Sequence, residues 1–289
     1  MSKKAKLIIF ITVLITIITI VSAILIHDKN KAEIAAIQAP DYYSLLNFNY
    51  EFEENQLNEF YTTIYEWYKS IENKNGVYII NTAYYDEDLL EEWNKNNIYN
   101  TIPDKPFWYF TASPSYIKKI GINLTQKDID DAQKGVRIYM LPDTLSSNEI
   151  QKMTAYLKED ALKNVSQGAV PTNFTKNKEV KIITYTPNKT LFTWPSEKKQ
   201  SLTETAPIIF VCTAQNMKYF ESESLAATGV DSYIKFRDKK IMEKLTCDNN
   251  ITKYNLNFSP SHEIYKQAGS DRLVDKGIDN CFNKNNNQE

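Results

Sequence analysis

Histidine is nearly missing from this chain of 289 residues, with His27 and His262 as its two copies. No His-Glu-x-x-His and no cysteine pair at ligand spacing can be read from neighbouring positions, so transition-metal and thiol-protease chemistry lack a local scaffold. Glycine is scarce as well, at seven copies. None of them forms a Gly-x-Ser-x-Gly elbow or a phosphate-cradling loop, which argues against nucleotide hydrolysis within the chain. Arginine is limited to Arg137, Arg237 and Arg272, so bidentate phosphate forks are few. With a formal net charge of -2 and a pI near 5.9, the chain carries no electrostatic footprint for nucleic acid. No cofactor is implied by any of these patterns.

Cysteine is rare too. Cys212, Cys247 and Cys281 cannot all pair within one chain. Cys212 sits inside the apolar run PIIFVCT and reads as a small buried hydrophobe. Cys247 and Cys281 stand in polar, loop-like surroundings and are the disulfide candidate; two free thiols is the alternative, because a sequence does not supply the geometry a bridge needs.

What the chain does have is one long apolar run. Leu7 to Ile26, LIIFITVLITIITIVSAILI, holds no charge, and twenty residues at about 1.5 Å each span a hydrocarbon core of about 30 Å. One transmembrane helix is expected. A cleaved signal peptide competes, with Lys3, Lys4 and Lys6 as its charged start and Val21-Ser22-Ala23 as its cleavage spacing. The lysine bias puts the N-terminus in the cytoplasm, so both readings send the chain from about His27 outward and leave the bulk extracytoplasmic. The next most apolar run, Pro207 to Thr213, is only strand length.

The expected organisation is an anchor over 1–28, a stalk over 29–41, an extracytoplasmic domain over 42–258 with room for two subdomains, and a polar, weakly ordered tail over 259–289. With 42% hydrophobic and 12% aromatic residues, the middle of the chain is rich enough to bury a core. Leu57, Phe60, Tyr61, Ile64, Trp67, Tyr68 and Ile71 recur at steps of three and four, which predicts a helix with one buried face, stopping at Asn75-Gly76. SLLNFNYEF, GVYIINTAYY, FWYFTAS, VRIYMLP, PIIFVCT and SYIKF read as strands. Asp86 to Asn97 and Lys239 to Leu245 read as helices.

Ser146 as N-cap, Glu149 closing the capping box and Leu145 with Ile150 as staple predict a helix start. EVKIITYT and TLFTW, joined by Pro187-Asn188-Lys189, predict a hairpin. The order of elements is that of an α+β fold, a mixed sheet with helices packed on one face.

Ser-x-x-Lys, a nucleophile motif of penicillin-binding proteins, occurs at Ser115 to Lys118, Ser196 to Lys199 and Ser232 to Lys235. A chain rich in both residues meets the pattern by chance, and neither Ser-Asp-Asn nor Lys-Thr-Gly accompanies it. The acidic start of Asp86 to Asn97 lacks the arrangement of a calcium loop. No catalytic, cofactor-binding or metal-binding residue is therefore assigned, and the chain is not expected to be an enzyme.

Two stretches, SPSYIKKIGINLTQKDIDDAQKGVRIYMLPDTLSSNEIQKMTAYLKEDA (Ser113 to Ala161) and VKIITYTPNKTLFTWPSEKKQSLTETAPIIFVCTAQNMKYFESESL (Val180 to Leu225), carry a resemblance. Together they resemble the first extracytoplasmic domain of the bacteriocin-associated integral membrane proteins of Gram-positive bacteria, immunity or export proteins related to the MacB/FtsX-type permeases of ABC systems. The likeness covers about residues 1 to 240 and rests on strings such as SPSYIKK, MLPDTL, TLFTW and APIIFV. It implies an outer domain tethered to the membrane beside a permease and its cytoplasmic ATPase; the expected role is to bind a bacteriocin peptide or a cell-envelope component, or to dock on those permease partners. Such proteins continue into further membrane helices where this chain reads NKNNNQE, so a truncated or split member is expected. The alternatives are an envelope serine hydrolase or transpeptidase built on Ser-x-x-Lys, and a gene fragment without function of its own.

Overall fold

The computed structural model describes residues 39–50, 53, 56–163, 168–195, 201–247 and 249–268. Two compact units divide the chain. Pro40–Ser261 is the larger, and Met1–Ala39 with His262–Glu289 is the other; in the latter, residues 262–268 are helical. The apolar run Leu7 to Ile26 lies outside the described residues. Among those that are described, no helix is long and apolar enough to cross a membrane.

The larger unit opens with β1 (Tyr43–Phe48), α1 (Leu57–Ile71), β2 (Val77–Tyr85), α2 (Glu87–Lys95) and β3 (Phe107–Ala112). Next come α3 (Pro114–Lys119), α4 (Gln126–Gln133), β4 (Arg137–Pro142), α5 (Ser147–Leu162), α6 (Asn173–Asn177) and β5 (Val180–Tyr185). The remainder is β6 (Leu191–Phe192), β7 (Thr203–Glu204), β8 (Ile208–Val211), α7 (Tyr219–Glu223), β9 (Ile234–Phe236), α8 (Lys239–Thr246), α9 (Asn249–Thr252) and β10 (Leu256–Pro260).

Local chemistry sets several of these boundaries. The Asp86 side chain accepts the Leu89 amide to start α2, and Thr125 does the same for α4 through Asp128. Ser146 and Glu149 close the predicted capping box of α5. A cap of this type stabilises a helix by about 1 kcal/mol.

Eight strands form one mixed sheet in the order β10-β1-β9-β2-β3-β8-β4-β5. Neighbours run antiparallel except β3 with β8 and β4 with β5. A parallel neighbour needs a long return path, which α5 supplies between β4 and β5. The hairpin expected from Pro187-Asn188-Lys189 does not form. Instead β5 pairs with β4, and β6 pairs with β7 in a separate two-stranded sheet. The turn signal was local, whereas the partner of β5 is fixed by the helical crossover.

Pleating sorts the sheet residues into two faces. Val77 and Ile79, Tyr139 and Leu141, Ile208 and Phe210, and Ile234 and Phe236 share one face and pack with Phe60, Ile64, Trp67 and Tyr68 of α1 and with Met153 and Leu157 of α5. Complete burial of a side chain of this size is worth about 1.5–3 kcal/mol. The opposite face is buried as well, through Tyr78, Ile80, Phe110, Ile138, Met140, Ile209 and Val211. There α3 brings Tyr116 to 5.9 Å from the Tyr78 ring. Helices thus pack on both faces, where the sequence suggested one. The reason is that Gly121 and Gly135 masked two short helices, α3 and α4, as a loop.

The C-terminal boundary also differs. The fading of periodicity after Phe258 suggested a tail, but β10 runs to Pro260 and pairs with β1, with Tyr43 opposite Pro260. Hydrogen bonding to a strand some two hundred residues away compensates for the weak local pattern.

Candidate functional site

The three Ser-x-x-Lys matches have three different fates. Ser115 donates its hydroxyl to the Val77 carbonyl at 2.9 Å and lies 3.0 Å from the Ser113 hydroxyl, while Lys118 is exposed at the end of α3. This serine is fastened to the sheet and its lysine faces solvent. Ser196 and Lys199 lie outside the described residues. At the third match both residues are buried, Ser232 at 1% exposure and Lys235 at 2%. The lysine Nζ donates to the Ser232 carbonyl oxygen at 2.6 Å, and the serine hydroxyl turns to the Ile234 carbonyl at 3.5 Å. Amine and hydroxyl of this pair therefore do not meet.

Lys235 nevertheless occupies the most unusual environment among the described basic residues. It is the middle residue of β9, flanked by β1 and β2, and its register partners are Ser44 on one side and Tyr78 on the other. Being one position out of phase with Ile234 and Phe236, its side chain enters the face opposite α1. The Trp194 ring lies over Nζ at 4.9 Å. Tyr42 stacks on Trp194 with centroids 5.9 Å apart, and its ring lies 5.4 Å from that of Tyr78.

Trp194 reaches this position with a left-handed backbone, φ 48°. The Thr82 hydroxyl fixes the approach by donating to the Thr193 carbonyl. Burial brings the Lys235 ammonium down to about 7, opposed by the Asp231 carboxylate. An amine poised near neutrality has the chemistry of a base or nucleophile.

A second buried charge cluster sits on the other face. Arg137, 1% exposed, donates through two guanidinium nitrogens to both oxygens of Glu221, at 2.6 and 2.7 Å. Its third nitrogen reaches the Tyr139 hydroxyl at 2.5 Å, and the Phe210 ring lies 3.8 Å from its central carbon. Burial alone would lower the Arg137 pKa, but the Glu221 carboxylate together with Tyr139 and Tyr109 outweighs it and holds the guanidinium charged. Beside it, Lys218 donates to the carbonyl and the carboxylate of Asp160, at 2.6 and 2.8 Å. Burial and the nearby Arg137 charge both lower the Lys218 pKa. Every member of this cluster is committed to a protein partner, which is the pattern of a structural brace.

The disulfide candidate is split. Cys247 is an exposed thiol whose sulfur donates to the Glu243 carbonyl at 2.9 Å, and Cys281 lies outside the described residues. Cys212 is buried as expected, and burial pushes its thiol well above the usual range. Among the described residues, no three His, Cys, Asp or Glu side chains gather as a metal cluster would require. No family model, curated protein or solved structure matches the chain.

Proposed function

We propose that this protein is a membrane-anchored, extracytoplasmic binding component of a bacteriocin-associated permease system, acting in immunity or export. The uncharged run Leu7 to Ile26 after a lysine-rich start carries this reading, since it fits a single crossing with the N-terminus inside. The strings SPSYIKK, MLPDTL, TLFTW and APIIFV supply the family. In this view the Pro40–Ser261 unit is held outside the membrane, where it meets a bacteriocin peptide or a permease subunit.

An open groove of 660 Å³ supports a binding role. It runs along the outer side of α1 past Asn58, Thr62, Glu66 and Ser70 to Asn250 and Lys253. Its lining combines hydroxyls and amides with the charges of Glu59, Glu66 and Lys253 and with the Trp67 ring, a mixture of polar and apolar groups that a peptide can match. Protease added to wall-stripped cells tests the topology: the region after His27 and a C-terminal tag should be digested while an N-terminal tag survives. An accessible N-terminal tag would reject the orientation and with it the outer binding role.

One observation favours a second reading, an envelope Ser-Lys hydrolase: the near-neutral amine of Lys235. The serine three residues before it does not contact that amine. Covalent labelling of Ser115, Ser196 or Ser232 by a β-lactam probe, lost in the matching Ala variant, would establish that reading in place of the first.

A further inference from the structure

The two edges of the eight-stranded sheet are unlike. At one end β10 is blunted: its ladder with β1 shifts register between Leu45 and Asn47, and it stops at Pro260, which has no N–H to offer. At the other end β5 pairs with β4 without a shift, from Val180 beside Arg137 to Tyr185 beside Pro142. The Arg137 amide donates to the Glu179 carbonyl and the Asp143 amide to that of Tyr185, each at 2.9 Å. Alternation along a parallel ladder then turns the backbone of Lys181, Ile183 and Tyr185 toward β4, and leaves the N–H and C=O of Val180, Ile182 and Thr184 pointing off the sheet. Among the described residues these outward groups meet no hydrogen-bond partner.

Sheets ordinarily guard such an edge with a bulge, a proline or a projecting charge. Val180–Tyr185 has no proline, and its one charged residue is Lys181. That charge is already matched, because its Nζ lies 2.7 Å from Asp128 and 2.8 Å from Asp131 of α4. Thr184 is exposed, and Val180, Ile182 and Ile183 are half-buried. The strand is therefore open to solvent and made of β-branched residues that favour pairing.

We propose that β5 is a dimerisation edge, pairing antiparallel with β5 of a second copy of this chain about a two-fold axis at Ile182. In this register Ile182 faces its own equivalent and Val180 faces the partner's Thr184, so every outward group of both strands is used, in about six hydrogen bonds. On the other face Lys181 lies opposite the partner's Ile183. An axis at Lys181 would set two lysines directly opposite one another, which is unfavourable. An axis at Ile183 would leave Val180 facing residues beyond the end of the strand. The pairing closes on itself, because it uses both β5 edges and the blunted β10 edges do not extend it. At one hydrogen bond per about 100–200 Å², the interface comes to about 600–1,200 Å², below the size of a tight complex. The dimer should accordingly be weak and depend on concentration.

Sedimentation of the full chain in density-matched mild detergent tests this. The wild-type protein should pass from monomer to dimer over roughly 10–100 µM. Ile182→Pro should stay monomeric in that range and still fold, since the N–H it removes bonds nothing within one chain and proline is tolerated on an edge strand. Ile183→Lys and Ile183→Glu read the register. The lysine sets like charges opposite Lys181 and should weaken the dimer about tenfold, whereas the glutamate should keep it; this pair decides the matter if Ile182→Pro does not fold. A wild-type chain that is monomeric throughout the range overturns the proposal and leaves the edge to an extended segment of another protein. A dimer retained by folded Ile182→Pro, or weakened equally by both changes at Ile183, overturns it as well.

Discussion

Replacing Glu221 by Ala strips the carboxylate from a guanidinium that has no route to water. Arg137 is 1% exposed and Glu221 6%, and their two contacts of 2.6 and 2.7 Å form a bidentate fork. Removing one partner of such a pair leaves a buried charge uncompensated, at a cost of about 3–5 kcal/mol. Arg137 would keep the Asn216 carbonyl at 3.2 Å and the Tyr139 hydroxyl. The Lys218 amide, which donates to Glu221 at 2.7 Å, would lose its acceptor. These effects oppose one another, so about 3 kcal/mol is expected, a sizeable part of the 5–15 kcal/mol that typically holds a domain.

With a urea slope of about 3 kcal/mol per molar, the unfolding midpoint of Glu221→Ala should fall by about 1 M. Tryptophan fluorescence of the full chain in mild detergent reads the transition. The double variant Arg137→Met with Glu221→Leu should recover much of the loss, because a well-packed apolar pair needs no compensation. If Glu221→Ala shifts the midpoint by less than about 0.3 M, or the double variant is as unstable as the single, the brace reasoning fails.

Gly135→Ala should cost more than Gly229→Ala in thermal melting. Both have positive φ, 103° and 66°, but a Cβ at Gly135 meets Asn173 Cβ at 2.5 Å whereas at Gly229 nothing lies within 4 Å. The Gly229 change should cost about 1–2 kcal/mol from conformation alone, and an equal loss at both sites would refute the steric part. The Lys235 amine titrates at about 7 when folded and near 10.4 when unfolded, so between these values the unfolded chain binds more protons. Stability should therefore rise with pH across that window, at up to about 1.4 kcal/mol per unit; Lys235→Met should flatten this rise, and an unchanged slope would show that other groups cause it. A bulky maleimide on native protein should label Cys247 and leave Cys212 unmodified until denaturant is added, since one thiol is exposed and the other buried; labelling of Cys212 first would contradict the fold.

Where the governing interaction spans a few residues, the sequence by itself determined the structure. Ser146 and Glu149 announced the start of α5 because a capping box closes within one turn. The stripe from Phe60 to Ile71 announced α1 because a period of three and four is a property of the helix itself; Leu57, at its frayed start, stays 40% exposed. The strands of the central sheet showed as apolar runs because both of their faces are buried, and Cys212 read as buried for the same reason. Only the tertiary structure decided which strands pair. β5 joined β4 rather than β6, and β10 joined β1 from the far end of the chain, since cross-strand hydrogen bonds leave no periodic mark on their partners.

The same limit applied to the site. Lys235 reads as one of three chance motif matches until the register sets Ser44 and Tyr78 beside it and the chain after β6 lays Trp194 over it. The pKa of a lysine depends on how much water surrounds it. That quantity is set by residues some forty to nearly two hundred positions away, and no short stretch of sequence contains it.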